Sequence, residues 1–151
     1  MIKTRREIRE KAMQVLYAYE VSQGPIEMLL ETIAGEELNA VEEDYRFAQG
    51  IVYAVLKHRA EADKLITDKS THWSFERIAL LDRVLLRMGI IEFLYFPDIP
   101  AKVTINECVE IAKRYSTEQS GRFINGLLDS ILTELKTSER LNKTGRGLLD
   151  T

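Results

Sequence analysis

Residues 75–96 read FERIALLDRVLLRMGIIEFLYF, and this stretch decides the class of the fold. From Ile78 onward its only charged side chains are Asp82, Arg83, Arg87 and Glu92, and the run stops against Pro97. A surface helix carries one apolar stripe, so a helix that is apolar almost all round is one that other elements surround. The pattern predicts a central helix over 75–96, capped by Ser74 after Trp73. Arg83 and Arg87 are four apart, where like charges on one helix repel each other unless a carboxylate from another element intervenes.

Outward from this helix the pattern stays helical. Three prolines and eight glycines fall between long segments of 3.6-residue period, which predicts an all-α protein. Thr4 with Glu7 reads as a capping box opening a first helix, with Ile8, Ala12, Val15, Leu16 and Tyr19 on one face and a stop near Gly24-Pro25. Pro25 is placed to open a short second helix through ETIA, closed by Gly35. From about Ala40, Val41, Tyr45, Ala48, Val52, Val55 and Leu56 recur at threes and fours, and EADKLITD carries the pattern on. Beyond the central helix, TINECVEIAKRY predicts an amphipathic helix with a box from Thr104 to Glu107 and a Glu110–Arg114 pair. Ser116 and Gln119 read as a third box, ahead of a wide stripe running from Phe123 to Leu135. One domain over 1–135 is expected, followed by a flexible tail at 136–151, where core residues run out.

Charge is segregated along the chain. Residues 1–11 hold Lys3, Arg5, Arg6, Arg9 and Lys11 against Glu7 and Glu10, a balance of +3 in a chain of net charge -3. Residues 12–135 sum to -8, so the ends are basic and the body acidic. The three arginines stand at the start of a helix, where the backbone dipole is positive and disfavours cations. A local rule broken without visible compensation marks a candidate functional site. Arginine offers a planar fork suited to phosphate, and Tyr17 further along the helix adds a surface on which an unpaired base could stack. The alternative is a solvated charged face with Tyr17 in the core, and the residues alone leave the two about even.

Other chemistry finds little support. His58 and His72 are far apart with no metal-binding spacing around them. Cys108 sits on an apolar helical face, where a small buried hydrophobe is expected rather than a nucleophile. Gly121 and Gly126 do not form a phosphate loop and read as points of close helix packing. No apolar run approaches the roughly 18 residues that span a bilayer, and the start lacks the apolar core of a signal peptide. The expectation is a cytoplasmic protein that is not an enzyme, with no cofactor, metal, membrane or small-molecule substrate.

Four segments in order, RREIREKAMQVLY, WSFERIALLDRVLLRMGIIEF, DIPAKVTINECVEIAKRYS and FINGLLD, resemble the NusB family of bacterial transcription antitermination factors over roughly residues 4 to 132. The resemblance implies two small three-helix bundles and a role in binding single-stranded RNA, the boxA element of ribosomal RNA leaders. The partners it implies are NusE, which is ribosomal protein S-ten, and the RNA polymerase antitermination complex. By the family's pattern, RNA contact falls to Lys3, Arg5, Arg6, Arg9, Gln14, Tyr17, Glu76 and Arg77, with Arg122 and Asn125 as weaker candidates. The NusE face includes Asp82, Arg87 and Glu118, and an acidic body suits a basic ribosomal protein. Gln119 departs from the family, where several relatives carry an acid. Two further readings are a helical protein-interaction scaffold without RNA affinity and a stand-alone relative of the helical module of ribosomal RNA cytosine methyltransferases.

Overall fold

The computed structural model describes residues 3–70 and 74–149, and these form helices and turns with no strand among them. Trp73 and His72 lie outside the described residues. The chain divides into two compact units, Met1–Lys57 and His58–Thr151.

The first unit begins with α1 (Arg5–Ser22), opened by the expected capping box. Thr4 Oγ1 accepts from the Glu7 amide at 3.1 Å, and Glu7 Oε1 accepts from the Thr4 amide at 3.0 Å. The helix ends where Gln23 turns left-handed (φ 54). The second helix differs from expectation, because Gly35 does not close it. After α2 (Ile26–Leu29) the chain runs through a π turn, Leu30–Gly35, into α3 (Glu36–Leu38), and Gly35 keeps right-handed helical angles. The wider turn absorbs one extra residue while keeping Leu30, Ala34 and Leu38 buried. Against this run and α1 packs α4 (Glu42–Lys57), which buries Ala48, Ile51, Val52 and Val55.

In the second unit α5 (Arg59–Lys69) leads to a single 3-10 turn, Phe75–Arg77. The central helix then begins later than predicted, at α6 (Leu80–Tyr95), because Ile78 and Ala79 are extended. Ser74 precedes the 3-10 turn and makes no side-chain cap. The centrality of α6 holds: Val84, Leu85, Leu86, Met88, Ile90, Ile91 and Phe93 are all at most 1% exposed. Each such side chain contributes about 1.5–3 kcal/mol of transfer free energy. Around it lie α5, α7 (Ala101–Tyr115) and α8 (Glu118–Thr137). Gly89 lets α8 approach, since a Cβ there would stand 2.9 Å from Leu128 Cδ1.

Three polar residues of α6, Asp82, Arg87 and Glu92, are fasteners, each to a different element. Asp82 accepts from the Ser120 hydroxyl at α8, through both oxygens at 3.0 and 3.1 Å. Arg87 donates from Nε and Nη2 to the two Asp63 oxygens of α5 at 2.7 and 3.1 Å, so a carboxylate answers Arg87 but not Arg83, whose buried Nε has no hydrogen-bond partner among the described residues. Thr104 of α7 donates to the fully buried Glu92 at 2.7 Å. Lys143 reaches back from beyond α8 and donates to the Glu92 and Phe96 carbonyls at 3.0 Å each. Its ammonium thus caps the negative end of α6, and burial pushes its pKa down.

Thr104 therefore does not open α7, which starts at Ala101 after Pro100. The third predicted box moves by one residue: Thr117, not Ser116, caps α8 by accepting from the Ser120 amide at 3.0 Å. Glu110 pairs with Lys113 at 3.1 Å. Past α8, the Thr144 amide donates to the Pro97 carbonyl at 3.0 Å, and Arg140 pairs with Glu61 at 2.9 Å. Gly147 lies so close that a Cβ would overlap the Pro97 oxygen.

Candidate nucleic-acid interface

In the first unit the basic residues of α1 fall into two groups. Arg5 and Arg9, one turn apart, face α4. Their Cζ atoms lie 3.9 and 5.3 Å from the centroid of the Phe47 ring. Arg5 is exposed, whereas Arg9 is only 2% exposed. Arg6, Gln14 and Tyr17 follow the neighbouring face at spacings that bring them into line. Tyr17 is 41% exposed, which removes the reading that placed it in the core.

Carboxylates answer some of these cations and not others. Lys11 pairs with Glu37 at 2.8 Å, and Lys3 stands 4.0 Å from the same carboxylate and 3.8 Å from Glu7. Hydrogen bonding and charge from Lys11 hold the Glu37 carboxyl below its usual range. Among the described residues no carboxylate pairs with Arg5. The exposed guanidinium is backed by a ring and remains open to an anion from outside.

In the second unit Glu76 and Arg77 are exposed on the 3-10 turn. Arg77 lines an open cleft of about 330 Å³ with Asp82, Thr117, Gln119, Ser120 and Phe123. Asp82 is 7% exposed, and burial raises its pKa against the lowering effect of the Ser120 hydroxyl. A carboxylate whose two oxygens share one hydroxyl keeps lone pairs for a further donor. Glu118 is exposed at the start of α8, 4.0 Å from Lys113. Arg87 is not on this surface: it is 5% exposed and committed to Asp63.

Arg122 and Asn125 are exposed on α8. Asn125 borders a separate groove of about 360 Å³ with Lys102, Ile105, Asn106, Val109 and Asp129. Gly121 meets the Lys113 side chain closely, but Gly126 faces open space and serves no packing contact. Cys108 is fully buried, its thiol 3.6 Å from the Leu85 carbonyl. No group of His, Cys, Asp or Glu among the described residues is arranged to hold a metal ion, and no helix is long and apolar enough to cross a membrane.

Sequence reasoning missed Phe47, Asp63 and Ser120. Phe47 carried a usable signal, an aromatic lying off the apolar stripe of its own helix. Asp63 and Ser120 carried none, since their partners are 24 and 38 residues away.

Comparison with known proteins gives a consistent result. A family model described as the NusB family matches residues 6–133. Transcription antitermination protein NusB of Chloroherpeton thalassium is 43% identical over 150 residues, covering 99% of this chain and 71% of the relative. The protein of the same name from Salinibacter ruber is 44% identical over 146 residues, covering 97% and 91%. Among solved structures, a chain in the crystal structure of antitermination factors NusB and NusE in complex with dsRNA superposes with a TM-score of 0.79 at 25% identity, covering 89% of this chain and 99% of that one.

Proposed function

The chain belongs to the NusB family, and on that premise we propose that it is a cytoplasmic, non-catalytic antitermination factor that binds RNA together with NusE. The RNA is the boxA element of ribosomal RNA leaders, and the assembled complex acts on RNA polymerase read-through. The observation that carries the reading is the exposed, carboxylate-free Arg5 at the head of α1, beside a neighbouring face that carries the exposed Tyr17. Cations at the positive end of a helix are disfavoured in the free protein, and RNA phosphates remove that penalty.

Lys3, Arg5 and Arg6 contact phosphates in this reading and Gln14 and Tyr17 engage bases; in the second unit Glu76, Arg77, Arg122 and Asn125 are further candidates for RNA contact. Arg9, being buried, supports the helix from beneath. Asp82 at the cleft and Glu118 beside it face NusE, and Arg87 stiffens α6 behind them through Asp63. The test is binding of a uridine-rich leader RNA, with and without NusE, across a salt series. Affinity should rise with NusE and fall with salt. No affinity for RNA in either condition would make the chain a protein-interaction scaffold.

A further inference from the structure

We propose that Phe47 is a positioning residue for RNA binding: its ring fixes the guanidinium of Arg5 in the orientation that receives the nucleic acid. The inference rests on the RNA-binding reading above and adds to it a residue from a different helix. Arg5 stands in the first turn of α1, where an arginine on a free helix end would sample many rotamers. Here its Cζ lies 3.9 Å from the centroid of the half-buried Phe47 ring on α4.

The ring does this without neutralising the charge. A carboxylate partner would hold the guanidinium and also compete with phosphate for its donors. An aromatic face attracts the cation through its quadrupole and leaves every N–H free in the guanidinium plane. Lys11 shows the contrast, with its ammonium 2.8 Å from Glu37. Arg9, one turn on, lies 5.3 Å from the same centroid and is buried, so one ring anchors two arginines and only the outer one is presented. An immobilised donor fork loses less freedom when it closes on phosphate, which is the advantage of preorganisation.

The experiment measures anisotropy of a short, uridine-rich, fluorescein-labelled single-stranded RNA with the full chain, in the presence of NusE. Phe47→Leu should weaken binding about two- to fivefold, the scale of an exposed cation–aromatic contact. Phe47→Tyr, which keeps the ring, should bind as the unaltered chain does. In an Arg5→Ala background Phe47→Leu should have no further effect, whereas a merely structural role would persist there. A second variant leaves the core untouched: Arg5→Lys keeps the charge but lacks the delocalised plane that rests on the ring. It should lose affinity while keeping the slope of log K against log salt. If Arg5→Ala weakens binding but Phe47→Leu or Arg5→Lys does not, Phe47 plays no part and the RNA reading stands. If Arg5→Ala itself changes nothing, the reading of Arg5 as an RNA contact fails and the proposal falls with it.

Discussion

Replacing Arg9 with alanine, and separately replacing Arg5 and Arg6 together, should produce two variants that fail in different assays. Arg9 is 2% exposed, so truncation strips two methylenes and a guanidinium from a packed site. At roughly 0.8 kcal/mol per buried methylene, plus about 0.5–1 kcal/mol for its contact with Phe47, the loss is about 2 kcal/mol of folding free energy. Arg5 and Arg6 are different. The ring contact of Arg5 is worth roughly 0.5–1 kcal/mol, and removing two cations from the positive end of α1 returns about 0.3–1 kcal/mol each, so stability should stay nearly level. Their effect belongs to RNA binding. With two fewer phosphates of a single strand neutralised, the magnitude of the salt slope falls by about 1.4. Urea unfolding and a salt titration of RNA anisotropy read the two quantities independently. The reasoning is refuted if Arg9→Ala keeps its stability within about 0.5 kcal/mol while reducing the slope, or if the double variant unfolds with its slope intact.

Other features give further expectations. Asp63→Ala should cost about 2–3 kcal/mol in urea unfolding, the low end for a broken buried pair because Asp63 is 28% exposed, and adding Arg87→Met should recover most of it; no recovery would mean the cost lies in packing. The pKa of Asp82 is raised above 3.8, so its stabilising effect is complete below that pH and is lost as pH rises through the folded-state value. Relative to Asp82→Asn, the unaltered protein should therefore gain stability as pH falls from neutral towards 3.8, and a flat difference across that range contradicts the assignment. Gly147→Ala cannot keep its place against the Pro97 carbonyl, so amide exchange at Thr144 and Gly147 should speed up while α6 stays protected. Unchanged exchange would show that the chain beyond α8 adjusts without leaving.

What could be read from the sequence depended on how far each feature's cause lay along the chain. The capping box at Thr4 is local and was legible, as was α6, whose apolar surround is written in its own residues. Thr104 looked equally like a cap, but its hydroxyl belongs to Glu92, and the pattern TINE holds no trace of that. Gly35 reads as a stop signal because a π turn has no signature of its own. In the candidate site the excess of cations was plain, but which arginine is presented and which is buried was not. That depends on Phe47, a residue 42 positions from Arg5, so only the folded chain separates Arg5 from Arg9.

The four fasteners on α6 have a consequence for uniqueness. A helix that is greasy on every side has no preferred rotation about its own axis and no preferred depth along it. Hydrophobic burial alone would accept many settings. Asp82 addresses α8, Arg87 addresses α5, Glu92 addresses α7, and the carbonyls at its end address Lys143. Each pairing forbids a different set of slips, and together they leave one setting. Swapping Asp82, Arg87, Glu92 and Lys143 for apolar residues of similar size would preserve collapse and much of the free energy, since buried polar pairs often add little net stability. What such a protein would lose is its sharply defined interior: broadened side-chain resonances, ANS binding and a cleft at Asp82 without fixed walls, which is how a molten core announces itself.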